Sequence, residues 1–319
     1  MHKGHVLITG SNGFLGGALA SYLRRMGYRI TGLGRKTQPS RRDVVDHYVS
    51  VDLSNPSGVM RVMAALEGVN CIFHCAGLTS ARQSFDDPAL YYSVNVGGFA
   101  NLLLAAKTTH LASSRVIAIS SGAVYGGELT TSASEETVPR PIGPYAETKF
   151  ATERLLMHEV ARGSIASGTT LRVFGISGSI NGFVDREPSR LLPSLMLAAT
   201  GRKSLFRVNG DGSAIREFLD IRDFVVACER AIAVNELEHS AINIGGGISL
   251  SIRDAISLVQ LVSGREILTV YGNEVNEQRV ITANNSRALS ELGWKPTKLD
   301  PLEIVGNAWH AFCHAEPTE

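Results

Sequence analysis

The sequence is poor in cysteine, in aromatic residues and in excess charge of either sign. Its four cysteines, Cys71, Cys75, Cys228 and Cys313, lack metal-ligand spacing, and Cys71 and Cys75 bracket a buried-strand pattern. That argues against a metal site or a disulfide framework and for a reducing cytoplasm. A formal net charge of +1 removes general attraction to nucleic acid or anionic lipid, so phosphate recognition has to be local. Long apolar runs are missing too. Val6-Leu7-Ile8 stops at Thr9-Gly10, too short for a signal-peptide core, and no stretch reaches the ~20 apolar residues of a membrane helix. Repeats and low-complexity tracts are absent. These absences predict a soluble, cytoplasmic protein that binds a small anionic ligand, not a nucleic acid or a membrane.

What is present is an alternation. Apolar runs at His5–Thr9, Arg29–Leu33, Asn70–His74, Arg115–Ser120 and Thr170–Phe174 are separated by amphipathic stretches at Phe14–Met26, Val59–Leu66, Ala89–Lys107 and Tyr145–Val160. Strands apolar throughout, alternating with helices, predict βαβ units and an α/β fold with a doubly wound parallel sheet. After Gly175 the rhythm loosens into the Gly- and Ser-rich stretch Ile176–Pro188, the expected passage to a second lobe.

The segment His5-Val-Leu-Ile-Thr-Gly-Ser-Asn-Gly-Phe-Leu-Gly16 reads as strand, tight turn and helix start. Gly10 and Gly13 let backbone N–H groups approach a pyrophosphate, and Gly16 lets the helix pack closely on the strand. This predicts an NAD(P)-binding Rossmann domain at 1–174 and a smaller C-terminal substrate-binding lobe at 175–319, with about 217–234 returning to the first. The residue ending the second strand reads the adenosine ribose, an acid suiting NAD and a base NADP. Here Gly34 stands where an acid is expected and Arg35 follows, so NADP(H) is the expected cofactor and NAD(H) the alternative.

Tyr145-Ala-Glu-Thr-Lys149 opens a helix and sets both functional groups on one face. A nearby ammonium favours phenolate over phenol, making the tyrosine a usable proton carrier. Ser120 and Ser121 leave the strand Arg115–Ser120 at its C-terminal end, where open α/β sheets bind ligands; Ser121 can donate to a substrate oxygen, or simply cap the strand end.

Together these segments resemble the nucleotide-sugar epimerase/dehydratase branch of the extended short-chain dehydrogenase/reductases, the UDP-galactose 4-epimerase-like enzymes, nearly end to end. The resemblance implies that Ser121, Tyr145 and Lys149 are catalytic. It implies cofactor contacts at Gly10, Asn12, Gly13, Phe14, Leu15 and Gly16, at Arg35, Asp52 and Leu53, at Cys75, Ala76 and Gly77, and at Asn95, Ser120, Tyr145, Lys149 and Phe174. Thr79, Ser121, Arg216 and Arg279 would meet a nucleotide-diphosphate sugar. The helices Ala89–Lys107 and Tyr145–Val160 resemble those through which such enzymes form homodimers.

Three departures limit the resemblance. The family's Asn and Tyr after the sixth strand are Gly175 and Ser177 here. Its late Arg aligns with Glu274, leaving Arg279 displaced. The Asp-Glu pair of the 4,6-dehydratases is Gly122-Ala123, which cannot perform that elimination. The expected activity is therefore NADPH-dependent reduction of a keto group, at C4 of a nucleotide-linked 4-keto-6-deoxy sugar. An NAD-dependent 4-epimerase and a non-catalytic NADP-sensing regulator are the alternatives, and retention of Ser121, Tyr145 and Lys149 speaks against the regulator.

Overall fold

The structure is a computed structural model that describes residues 2–109, 115–126, 131–234, 241–273 and 280–314. The chain begins β1 (His5–Thr9), α1 (Phe14–Arg25), β2 (Arg29–Gly34), β3 (His47–Ser50), α2 (Val59–Ala65) and β4 (Cys71–His74). A continuous helix follows in three stretches, α3 (Pro88–Tyr91), a π-helical turn Tyr92–Gly97 and α4 (Gly98–Thr108). Next come β5 (Arg115–Ser121), α5 (Pro144–Ala161), β6 (Ser167–Val173), β7 (Ile176–Ser177), β8 (Ser179–Ile180), β9 (Phe183–Val184), α6 (Leu191–Ala199), β10 (Phe206–Val208), β11 (Ile215–Asp220), α7 (Ile221–Ala233) and β12 (Ala241–Ile244). The chain closes with β13 (Ile248–Ser251), α8 (Ile252–Ser263), β14 (Thr269–Tyr271), β15 (Val280–Ile281), α9 (Ser286–Leu292) and α10 (Pro301–His314).

Seven described strands form one parallel sheet in the order β12-β6-β5-β4-β1-β2-β3. The chain builds outward from β1 to β3, then returns to β1's other side with β4. The crevice beyond the C-terminal ends of β1 and β4 is thus the topological switch point where such sheets bind ligands. Strands β1 and β4 are buried along their whole length, as expected with α1 and α7 packed on one face and α2, α4 and α5 on the other. The edge strand β3, His-Tyr-Val-Ser, was not anticipated from the sequence; it is half-exposed, so it lacks the apolar run of its neighbours.

The helical stretch Pro88–Thr108 is, by length and composition, apolar enough to cross a membrane, which corrects the expectation that no segment is. Its apolarity has a use inside the fold: Phe99, Leu102 and Leu103 are buried against α2 and the sheet. The β8–β9 hairpin lies directly on α1. A Cβ at Gly17 would fall 2.3 Å from the Phe183 ring. At the hairpin tip, Asn181 adopts a left-handed φ of 51° and donates to Ser21 Oγ at 3.0 Å. Its carbonyl accepts from Arg41.

Buried Glu217 on β11 joins three segments by accepting the N–H groups of Gly247 at 2.8 Å and Ala283 at 2.7 Å. Desolvation outweighs these bonds and pushes its carboxyl up to about 7. A carboxyl raised in the folded state binds its proton more readily there than in the unfolded chain. Its contribution to stability is therefore full at pH below about 4.5 and lost as pH rises through about 7. Comparing thermal midpoints of the protein and Glu217→Gln from pH 5 to pH 8 should show the native advantage shrinking as pH rises, by a few kcal/mol at most. A difference independent of pH would refute the assignment.

Candidate active site

The turn after β1 is built for close approach. Gly13 N donates to Gly10 O at 2.9 Å, and Gly10 has a left-handed φ of 68°. A Cβ at Gly16 would lie 2.3 Å from Gly10 O, so only glycine lets α1 start so near the strand. The first turn of α1 contains no acidic residue, leaving its N–H groups and dipole for an anion. Across the crevice, Thr9 Oγ1 accepts from Ala76 N at 3.1 Å and pairs with His74 Nδ1 at 3.0 Å. Burial, reinforced by the Lys149 ammonium, drops His74 to about 3, so it stays neutral.

A cavity of about 520 Å³ opens at this switch point. It is lined by Gly10, Asn12, Gly13, Phe14, Leu15 and Gly16 of the glycine loop, the residues expected there, and by Arg35, Asp52, Leu53, Cys75, Ala76, Gly77 and Thr79. Asn95 sits behind that wall. Its Oδ1 accepts from Leu78 N at 2.7 Å, and its Nδ2 donates to Leu78 O and Thr148 Oγ1. Its amide is thus engaged in holding the loop in place. Phe174 is fully buried, with its ring so close to Gly122 that a Cβ there would come within 2.6 Å.

The second component comes from β5 and α5. Pro144 fixes the first turn of α5, and Gly143 before it takes a left-handed φ of 85°. Half-buried Tyr145 and buried Lys149 follow one turn apart on the same face. Lys149 Nζ donates to Ile119 O at 2.9 Å and would lie 3.9 Å from a Cβ at Gly77. The ammonium is therefore tied to the end of β5 and lies beside the wall of the crevice. Ser121 Oγ accepts from Ala123 N at 3.2 Å, capping the short turn that follows, and its own O–H remains available to donate. Ser120 turns the other way, its hydroxyl bonded to buried Glu153.

Sequence reasoning overlooked the opposite wall, the segment from Val184 to Arg190. Buried Asp185 pairs with Arg190 at 2.8 Å, while Arg186 donates to the last carbonyls of α10 at Phe312 and Ala311. No short-range pattern announces this wall, because the β8–β9 hairpin carries it there. Arg216, on β11, does not line the cavity but donates to Ile215 O at 2.9 Å. Arg279 lies outside the described residues.

Residues 6–245 match the family model described as the NAD dependent epimerase/dehydratase family. The chain belongs to that family. It is an enzyme of the extended short-chain dehydrogenase/reductase type. Over 96% of its length it is 26% identical to UDP-glucose 4-epimerase of Streptomyces lividans, covering 95% of that protein. Among solved structures it is similar to UDP-glucose 4-epimerase from Brucella ovis in complex with NAD, with a TM-score of 0.87 and 26% identity over 97% of this chain and 98% of that one. It is also similar to MoeE5 in complex with UDP-glucose and NAD, with a TM-score of 0.86 and 27% identity over 97% and 99% of the two chains.

These family members overturn the expectation of NADP, since the solved relatives carry NAD. The local structure explains the misreading. At Gly34 a side chain would meet Tyr48 Oη at 2.7 Å and Asn12 Nδ2 at 3.3 Å. The Tyr48 hydroxyl is itself fixed, donating to Lys36 O and accepting from Asn12. The missing acid thus marks a filled position rather than a phosphate-reading one. Arg35 and Lys36 beside it are exposed at the cavity rim, where loop charges are usually solvated.

Proposed function

We propose that this enzyme is an NAD-dependent epimerase that inverts C4 of a hexose carried on uridine diphosphate. The observation that carries the reading is the position of Lys149, whose ammonium ties the Tyr145 helix to the end of β5 and lies beside the cradle wall at Gly77. The glycine turn fits a dinucleotide, because glycine at 10 and 16 lets the turn pack on the backbone at Ala76 and lets α1 start directly against the turn, with its N-terminal N–H groups free for a pyrophosphate. Bound there, NAD supplies a hydride acceptor that can return the hydride to the same carbon. Tyr145 takes the C4 hydroxyl proton during oxidation and gives it back during reduction. Lys149 presents its ammonium one helical turn from the tyrosine, and Ser121 donates to the sugar oxygen as charge develops there. Net keto reduction, the first expectation, would consume external reductant; the relatives' names favour the closed cycle instead.

The test uses the purified protein without added cofactor. Incubation with UDP-glucose, UDP-N-acetylglucosamine or UDP-glucuronic acid, read by proton NMR, should yield the C4 epimer of at least one, with the bound NAD unchanged in amount. Absence of epimer from all three, with NAD demonstrably bound, refutes the activity.

A further inference from the structure

A buried ionic network lies beneath the site and takes no part in the mechanism above. Glu153 is on α5, one turn beyond Lys149 and two beyond Tyr145, and is 3% exposed. Both of its carboxylate oxygens are engaged. Arg172 on β6 donates Nε at 3.1 and 3.2 Å and Nη2 at 2.7 Å, and Ser120 Oγ donates at 2.5 Å. Beyond it, Arg172 Nη1 donates to Tyr125 Oη at 3.0 Å, and Tyr125 donates to Asn243 Oδ1 at 2.7 Å. Successive residues of β5 are thus gripped by one face of α5: the Ile119 carbonyl by Lys149 and the Ser120 hydroxyl by Glu153. Ser121 is the next residue.

A buried charge pair is a poor way to gain stability, because an apolar pair of similar volume often does as well or better. What it supplies is directionality. A bidentate guanidinium–carboxylate contact with a third donor permits only one register between the groups that carry it. We propose that Glu153 is a positioning residue, whose carboxylate sets the register of α5 on β5 and so the placement of Tyr145 and Lys149 relative to Ser121. This rests on the reading of those three as the reacting groups. A small misplacement of such groups is enough to lower turnover by up to about 10²-fold.

The test compares Glu153→Gln and Ser120→Ala in the NAD-loaded protein, with turnover expressed per bound NAD and measured well below each thermal midpoint. The expected result is a kcat lowered about tenfold or more in Glu153→Gln and about three- to tenfold in Ser120→Ala, with KM for the UDP-sugar within twofold. A lowered thermal midpoint with kcat per loaded subunit and KM both unchanged would overturn the proposal, as would a change confined to KM. Ser120→Ala removes one hydrogen bond and no charge, so it decides the matter if Glu153→Gln does not fold. Tyr145→Phe, run alongside, separates the two ideas. If that variant stays active, the site reading fails; if it is inactive while Ser120→Ala is unimpaired, only the positioning role fails.

Discussion

Replacing Tyr145 with phenylalanine is expected to lower kcat by about 10²–10⁴-fold while leaving folding and NAD content close to native. The residue follows Pro144 at the start of α5 and is half-buried. Its hydroxyl has no hydrogen-bond partner among the described residues, so deleting it leaves no buried group unsatisfied. The loss should therefore fall on proton transfer alone. Turnover at saturating UDP-sugar, set beside NAD extracted from the same preparation, measures it. Activity within threefold of native, with NAD bound, would remove Tyr145 from the mechanism.

Gly16→Ala should act on the other half of the site. The added methyl would meet Gly10 O at 2.3 Å, Gly10 C at 2.8 Å and Ser11 N at 3.1 Å, all backbone atoms that cannot swing aside. Either α1 retreats from the turn or the turn opens. Overpacking of this kind costs about 1–3 kcal/mol, and both responses pull N–H groups away from the pyrophosphate. NAD content after gel filtration is expected to fall at least about tenfold, the equivalent of about 1.4 kcal/mol. A variant that keeps full NAD content would show that the cradle tolerates a Cβ.

The parts of this enzyme that could be read in advance are those whose chemistry is local. A turn that brings three backbone segments together demands glycine, so Gly10, Gly13 and Gly16 were visible, and the apolar strands around them gave away the sheet. The pairing of Tyr145 with Lys149 was visible through helical spacing. Cofactor choice was not, because the occupant of the space at Gly34 is Tyr48, brought there by the β2–β3 pairing. Nor could Glu153 and Arg172 be matched from the sequence; their meeting depends on α5 and β6 packing side by side. The wall from Val184 to Arg190 is hidden for the same reason.

The course of the chain also bears on how this enzyme could be recombined with its relatives. Strand β12 lies beside β6, α7 packs on α1, and the β8–β9 hairpin rests Phe183 on the backbone of Gly17. A fragment ending at Phe174 would therefore leave β6 as a bare sheet edge and α1 stripped of its cover, the conditions under which sheets aggregate. The segments before and after Phe174 are not cassettes that can be exchanged at a single crossover. Any chimera that imports a new second half also imports part of the first half's floor and roof.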